Sequence, residues 1–360
     1  MFQRILVPLD GSMRAERAMS VAARIARASG GSLILLRAVE PPVEYETYLA
    51  EEESLPESPP KKYVGEAADY LSRVARSEVL KGIPVVTEEM VGAPGPAILD
   101  YAASSRTDLI VLCSHGYTGF KRWAIGSVAD KVVRHAPMPV LLLRESGPAL
   151  RTPDAQHPLR ILVTLDGSEL SEAILEPVTW LVEAFAPPTQ GKLDLLHVVD
   201  TSAIGGTYPE RARAEIIEQV KLQAREYLTM ITSKIRIIIA ADGELPITCF
   251  VVTAQDVATA IIRAGESSED AEGLPSAGSY DVIAMSTHGR GALARWIVGS
   301  ITERVLHGTA LPVFVVRSQH VELHMTGTEA QKRILGASQK KKVLETAKSE
   351  EWIHESKHQS

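Results

Sequence analysis

Apolar residues along the chain fall into two alternating patterns. Short, nearly continuous apolar runs stand at ILVPL (5–9), LILLRAV (33–39), IPVVTEEMV (83–91), LIVLCS (109–114) and PVLLLR (139–144). Between them, at 14–29, 62–81, 96–105 and 126–136, apolar positions recur at helical spacing. Runs this short, β-branched and unbroken are those of parallel strands covered on both faces. The first helical stretch opens after Asp10-Gly11-Ser12, a turn and cap signal, and closes before Gly30-Gly31. Strand–helix alternation of this kind predicts a doubly wound α/β sheet with right-handed crossovers. Ligands of such sheets bind at the carboxyl ends of the strands, so chemistry is expected directly after each run.

The pattern then starts again. ILVPLDGS (5–12) returns as ILVTLDGS (161–168) at an offset of 156, and LILLRAVE (33–40) as LDLLHVVD (193–200) at 160. DLIVLCSHG (108–116) returns as DVIAMSTHG (281–289), and RWAIGSVADKVV (122–133) as RWIVGSITERVL (295–306), both at 173; MPVLLLR (138–144) matches LPVFVVR (311–317). Collinear matches with a growing offset mark a tandem duplication with insertions in the second copy. The largest insertion, GESSEDAEGLPSAGSY (265–280), reads as a polar surface loop. The chain is therefore expected to hold one domain over 1–145, a Pro-containing linker, a second domain over 158–318, and a basic, partly helical tail over 319–360.

Composition narrows the partners. With 38 basic and 45 acidic residues the formal net charge is −7, and aromatic content is 5%, which speaks against duplex nucleic acid and against a base-stacking platform. No apolar stretch approaches the ~20 residues of a membrane span. Two cysteines make no disulfide framework, and Asp10 interrupts any signal-peptide core, so a cytoplasmic setting is expected.

The candidate chemistry follows the fourth run of each copy. Cys113-Ser-His-Gly116 is followed by nine residues and then Gly126-Ser127; Ser286-Thr-His-Gly289 is followed by nine residues and then Gly299-Ser300. Glycine admits close backbone approach, and exposed N–H groups at a helix start favour an anion, so each copy reads as a phosphate cradle. The plainer reading is a turn and a cap. Asp10 and Asp166 suit ribose hydroxyls; an Asx turn or helix cap is the more common use of Asp-Gly-Ser, and the two roles are compatible. His115 and His288 lack companion ligands at metal spacing and read as loop histidines. Arg122-Trp123 and Arg295-Trp296 recur as packing elements. There is no G-x-x-x-x-G-K-[ST] loop, no G-x-G-x-x-G after the first strand and no G-x-S-x-G elbow, and no catalytic residue stands out.

These residues resemble a tandem universal stress protein over 2–145 and 158–318. The resemblance implies a five-stranded parallel sheet of order 3-2-1-4-5 in each copy. It implies ATP binding through G-x-x-G, nine residues, then G-[S/T], with any Mg2+ carried on the nucleotide and without rapid turnover. Carried over by position, the pocket comprises Pro8, Asp10, Ala38, Leu112, Cys113, Gly116, Gly126, Ser127 and Val128 in copy one. In copy two it comprises Thr164, Asp166, Val198, Met285, Ser286, Gly289, Gly299, Ser300 and Ile301. Cys113 and Ser286 replace the first motif glycine, which motivates an alternative: an interaction module of the same fold that binds no nucleotide. The family's pairing through last strands implies that 139–143 and 312–316 join the two copies as a pseudo-dimer within one chain, with a further homodimer left open.

Overall fold

The computed structural model describes residues 1–40, 59–114, 125–145, 150, 157–186, 190–202, 209–239, 245–266, 280–287 and 298–318. In the first half, strands β1 (Arg4–Pro8), β2 (Ser32–Val39), β3 (Val85–Val91), β4 (Leu109–Cys113) and β5 (Val140–Leu143) alternate with helices α1 (Met13–Ser29), α2 (Pro59–Ala75), α3 (Pro94–Ser104) and α4 (Ser127–His135). The second half runs β6 (Leu159–Thr164), α5 (Leu175–Phe185), β7 (Gly191–Asp200), α6 (Glu210–Ile238), β8 (Ile247–Ala254), α7 (Val257–Glu266), β9 (Val282–Ser286), α8 (Ser300–Gly308) and β10 (Val313–Val316). The strands form a single ten-stranded sheet of order β3-β2-β1-β4-β5-β10-β9-β6-β7-β8. Each half has the order 3-2-1-4-5 and is parallel throughout.

The halves join where the resemblance implied. β5 and β10 pair antiparallel, with Val313 opposite Leu142, Phe314 opposite Leu141 and Val315 opposite Val140. The seam is reciprocal, as a two-fold interface must be. Arg134 on α4 meets Glu303 on α8 at 2.7 Å, while His307 on α8 lies 3.8 Å from Asp130 on α4. The offset of 173 maps each pair onto the other. Both acids hold the Arg134 guanidinium in its charged form, well above its ordinary range. On the opposite face Phe2 packs edge-on against Trp180 and Phe314, at centroid distances of 5.6 and 6.3 Å. One apolar core therefore runs along each face of the sheet and crosses from one half to the other.

Two expectations need correction. The helical stretch 62–81 is a helix ending at Ala75 followed by a 3-10 turn at Glu78–Leu80, because Ser77 adopts extended dihedrals (φ −62°, ψ 145°) that break the ladder. The insertion 265–280 is not all surface loop. Gly265 and Glu266 complete α7, and Tyr280 is buried, stacked under the Arg160 guanidinium at 4.4 Å with its hydroxyl donating to Asp194. A long aromatic ring at the loop's end finds the core, which the polar composition of the rest conceals.

Candidate functional site

The turn after the first strand is the same in both halves. The Asp10 Oδ1 accepts from the Ser12 backbone N–H at 2.9 Å and from its hydroxyl at 2.6 Å, and Ser12 Oγ in turn accepts from the Ala15 N–H, capping α1. Asp166 does the same with Ser168, at 3.0 and 2.6 Å, and Ser168 Oγ accepts from Ser171 N–H. Between them Gly11 and Gly167 take φ of 90° and 82°, a region where a Cβ is strained. Of the two roles the sequence allowed for these aspartates, the Asx turn is what the geometry displays.

The second component is the start of α4 and of α8. Gly126 donates its N–H to the Ser114 carbonyl and Gly299 to the Thr287 carbonyl, each at 2.7 Å. These bonds tie each helix start to the end of the fourth strand of its half. Gly126 and Gly299 are the N-caps, and neither helix has a side-chain cap. The first-turn N–H groups of Ser127, Val128 and Ala129, and of Ser300, Ile301 and Thr302, thus have no intrahelical acceptor, and the helix dipole adds positive potential there. A Cβ on Gly299 would stand 3.1 Å from the Thr287 carbonyl oxygen, close enough that the loop would have to shift by a few tenths of an ångström to admit one. Ser127, Ser300 and Ile301 are exposed. Ser114 and Thr287 act through backbone carbonyls and were not picked out in the sequence, where no side-chain signal marks them.

Strand alternation decides which predicted residues converge. Leu112 lies in the core on the α3/α4 face, and Val128 packs against it; Pro8 and Ala38 share that face, two residues beyond Leu6 and Leu36. Met285, Val198 and Thr164 occupy the same face in the second half. Cys113 does not join them. It belongs to the core on the α1 face, where burial pushes its thiol up to about 11. Ser286 likewise points away, its hydroxyl donating to the Leu170 carbonyl at 2.9 Å and sharing a 2.6 Å hydrogen bond with Ser318. The side chains at the first motif position therefore point away from the cradle face in both halves. Beneath Gly11 sits the Arg37 guanidinium, 3.4 Å from where a Cβ would be, stacked at 4.9 Å on Tyr70; the second half has His197 at that position, against Tyr227. The residues present fit a phosphate-bearing ligand: two glycine-capped helix starts with exposed first-turn serines, and an apolar shelf beside them.

Gly116, Gly289, His115, His288, Arg122, Trp123, Arg295 and Trp296, the acidic segment 44–57, most of the 265–280 insertion and the 319–360 tail lie outside the described residues. Among the described residues no three His, Cys, Asp or Glu side chains gather as a metal site, and no helix is long and apolar enough to cross a membrane.

The duplicated halves have counterparts among known proteins. The model of the universal stress protein family matches residues 1–144 and again residues 159–317. The chain belongs to the universal stress protein family. A universal stress protein of Thermus aquaticus is 37% identical over 145 residues, 40% of this chain and all of its own length. One of Mycobacterium bovis is 24% identical over 242 residues, spanning 65% of this chain and 70% of its own. The crystal structure of a universal stress protein from Archaeoglobus fulgidus superposes with a TM-score of 0.55 at 20% identity, covering 88% of this chain and 98% of its own. A putative universal stress protein from Pseudomonas aeruginosa gives 0.55 at 16%, covering 88% and 93%. At those identities the two structures show the shared fold alone.

Proposed function

We propose that this universal stress protein binds adenine nucleotide, ATP in the first instance, at the carboxyl end of each half-sheet, and acts in stress response or regulation as a binding protein rather than a rapid hydrolase. The observation that carries the reading is the pair of glycine-capped helix starts, α4 and α8, each bonded to the end of its half's fourth strand and each presenting first-turn amides to an anion. The phosphates would rest on Ser127 and Val128, and on Ser300 and Ile301, and Mg2+ would arrive on the nucleotide. Pro8, Ala38 and Leu112, and Thr164, Val198 and Met285, would supply the shelf for base and ribose. A module without nucleotide drew its motive from Cys113 and Ser286, whose side chains leave by the opposite face.

Calorimetric titration of the full chain with ATP tests this. A carboxylate at the first helical position competes with phosphate for the same amides while favouring the helix dipole. The double substitution Ser127→Glu and Ser300→Glu should therefore keep the fold and abolish saturable binding. Absence of binding to the unaltered protein, or equal binding by the double variant, would sink the reading.

A further inference from the structure

The ten-stranded sheet has two outer edges, β3 and β8, and among the described residues each pairs only on its inner side, with β2 and β7. Edge strands expose a row of backbone donors and acceptors and are usually blunted by charge, proline, a bulge or shortness. β8 has none of these. Its sequence ITCFVVTA carries no charge and no proline, and its eight residues pair with β7 without a slip, from Leu193 opposite Ile247 to Asp200 opposite Ala254. Every residue of the strand is at least partly exposed. β3 is likewise open, with Val86 48% and Val91 51% exposed, but it carries Glu88 and Glu89.

Charge distinguishes the two edges. Thr232 on α6 touches Cys249 of β8, so the helix face containing Thr232 overlooks that edge. At helical spacing this face also presents Arg225, Thr229 and Arg236, all exposed. On β3, Val85 packs on the same face of the sheet as α6, and alternation puts Glu89 there too. The β8 edge is thus an uncharged strand overlooked by Arg225 and Arg236, with Glu218 beside Arg225, and the β3 edge carries two carboxylates, Glu89 on the matching face. Because β5 and β10 reverse the direction between halves, β3 and β8 run in opposite senses. A second copy set beside the first in the same orientation brings them together antiparallel.

We propose that copies of this chain associate head to tail, β8 of one pairing with β3 of the next, with the α6 face that carries Arg225 and Arg236 on the same side of the sheet as Glu89. Such a contact is heterologous and continues the sheet from chain to chain.

Sedimentation velocity and light scattering on the full chain, from micromolar to hundreds of micromolar, test it with one lysine on each edge. Val86→Lys blocks β3 and leaves β8 intact; Thr253→Lys, at an exposed position, does the reverse. The unaltered chain should grow beyond its 39.0 kDa mass with concentration, less so at high salt. Each variant alone should stay monomeric, with circular dichroism unchanged, and the equimolar mixture should give one species of twice the chain mass. Glu89→Arg should weaken association tenfold or more, and adding Arg225→Glu and Arg236→Glu should restore it. An unaltered chain that remains monomeric throughout overturns the proposal. So does a Val86→Lys variant that still dimerises, which would mean β8 pairs with itself, or a mixture of folded variants that stays monomeric.

Discussion

At the carboxyl ends of their strands the two halves are built alike. Asp10 and Asp166 fold the same turn, Ser12 and Ser168 donate to it at the same 2.6 Å, and Gly126 and Gly299 reach a strand-end carbonyl at the same 2.7 Å. At the amino ends they diverge. Opposite Leu6 in β1 stands Ile34, buried in the core; opposite Leu162 in β6 stands Asp194, fully buried, with Lys192 at 3.1 Å, Arg160 at 3.4 Å and the Tyr280 hydroxyl at 2.9 Å. Burial and the Asp194 charge together push the Tyr280 phenol above its ordinary range, so it remains a donor at any physiological pH. One end of the sheet tolerates an apolar residue exchanged for an ionic cluster, while at the other the turn and helix-start hydrogen bonds agree to a tenth of an ångström. That contrast agrees with the proposed nucleotide site at the carboxyl ends, while the amino ends differ in packing.

The largest effect that would break the comparison lies in the ionic cluster. Asp194→Ala strands Arg160 and Lys192 beside an apolar core and should cost about 3 kcal/mol, read as a lower urea midpoint, with no counterpart at Ile34. Next comes the cradle. Ser127→Glu and Ser300→Glu, taken singly, should each weaken one site tenfold or more, about 1.4 kcal/mol, so that titration gives half the sites of the unaltered chain from either substitution. If the halves are not equivalent, one substitution will remove all binding and the other none. Smaller still, Ser12→Ala and Ser168→Ala should each lower stability by about 1 kcal/mol, and equal losses would support the equivalence of the two turns. The smallest effect is an absence. Burial holds the Cys113 thiol at about 11, whereas Cys249 is exposed, so alkylation at about pH 8 should label one thiol per native chain and two in denaturant.

Much of this architecture was legible in the chain. The apolar runs gave all five strands of the first half to within two residues, and the duplication placed β6, β7, β9 and β10 of the second but not β8. Other features were hidden, for identifiable reasons. The repeat did not announce that α6 would run 29 residues against 17 for α2, because no collinear match to the first copy falls between 200 and 281. The side on which Cys113 and Ser286 emerge was not readable from the motif, since spacing fixes position along a strand but the face depends on register with its neighbours. Ser114 and Thr287 hold the helix starts through carbonyls, which every residue possesses.

The sequence by itself determined the fold class, the duplication, the positions of the glycines and the turns after β1 and β6. Those are local properties, set by periodicity and by what Asp-Gly-Ser and a helix-opening Gly-Ser can do with their own backbone. Tertiary structure decided the register in which the two sheets join, that Arg134 finds Glu303 across 169 residues, and that Asp194 is balanced by Lys192 and Arg160 and accepts from Tyr280. These depend on which surfaces meet once the chain is compact: an edge strand is satisfied by whichever strand is brought alongside it, and a buried charge by whichever partner the packing delivers.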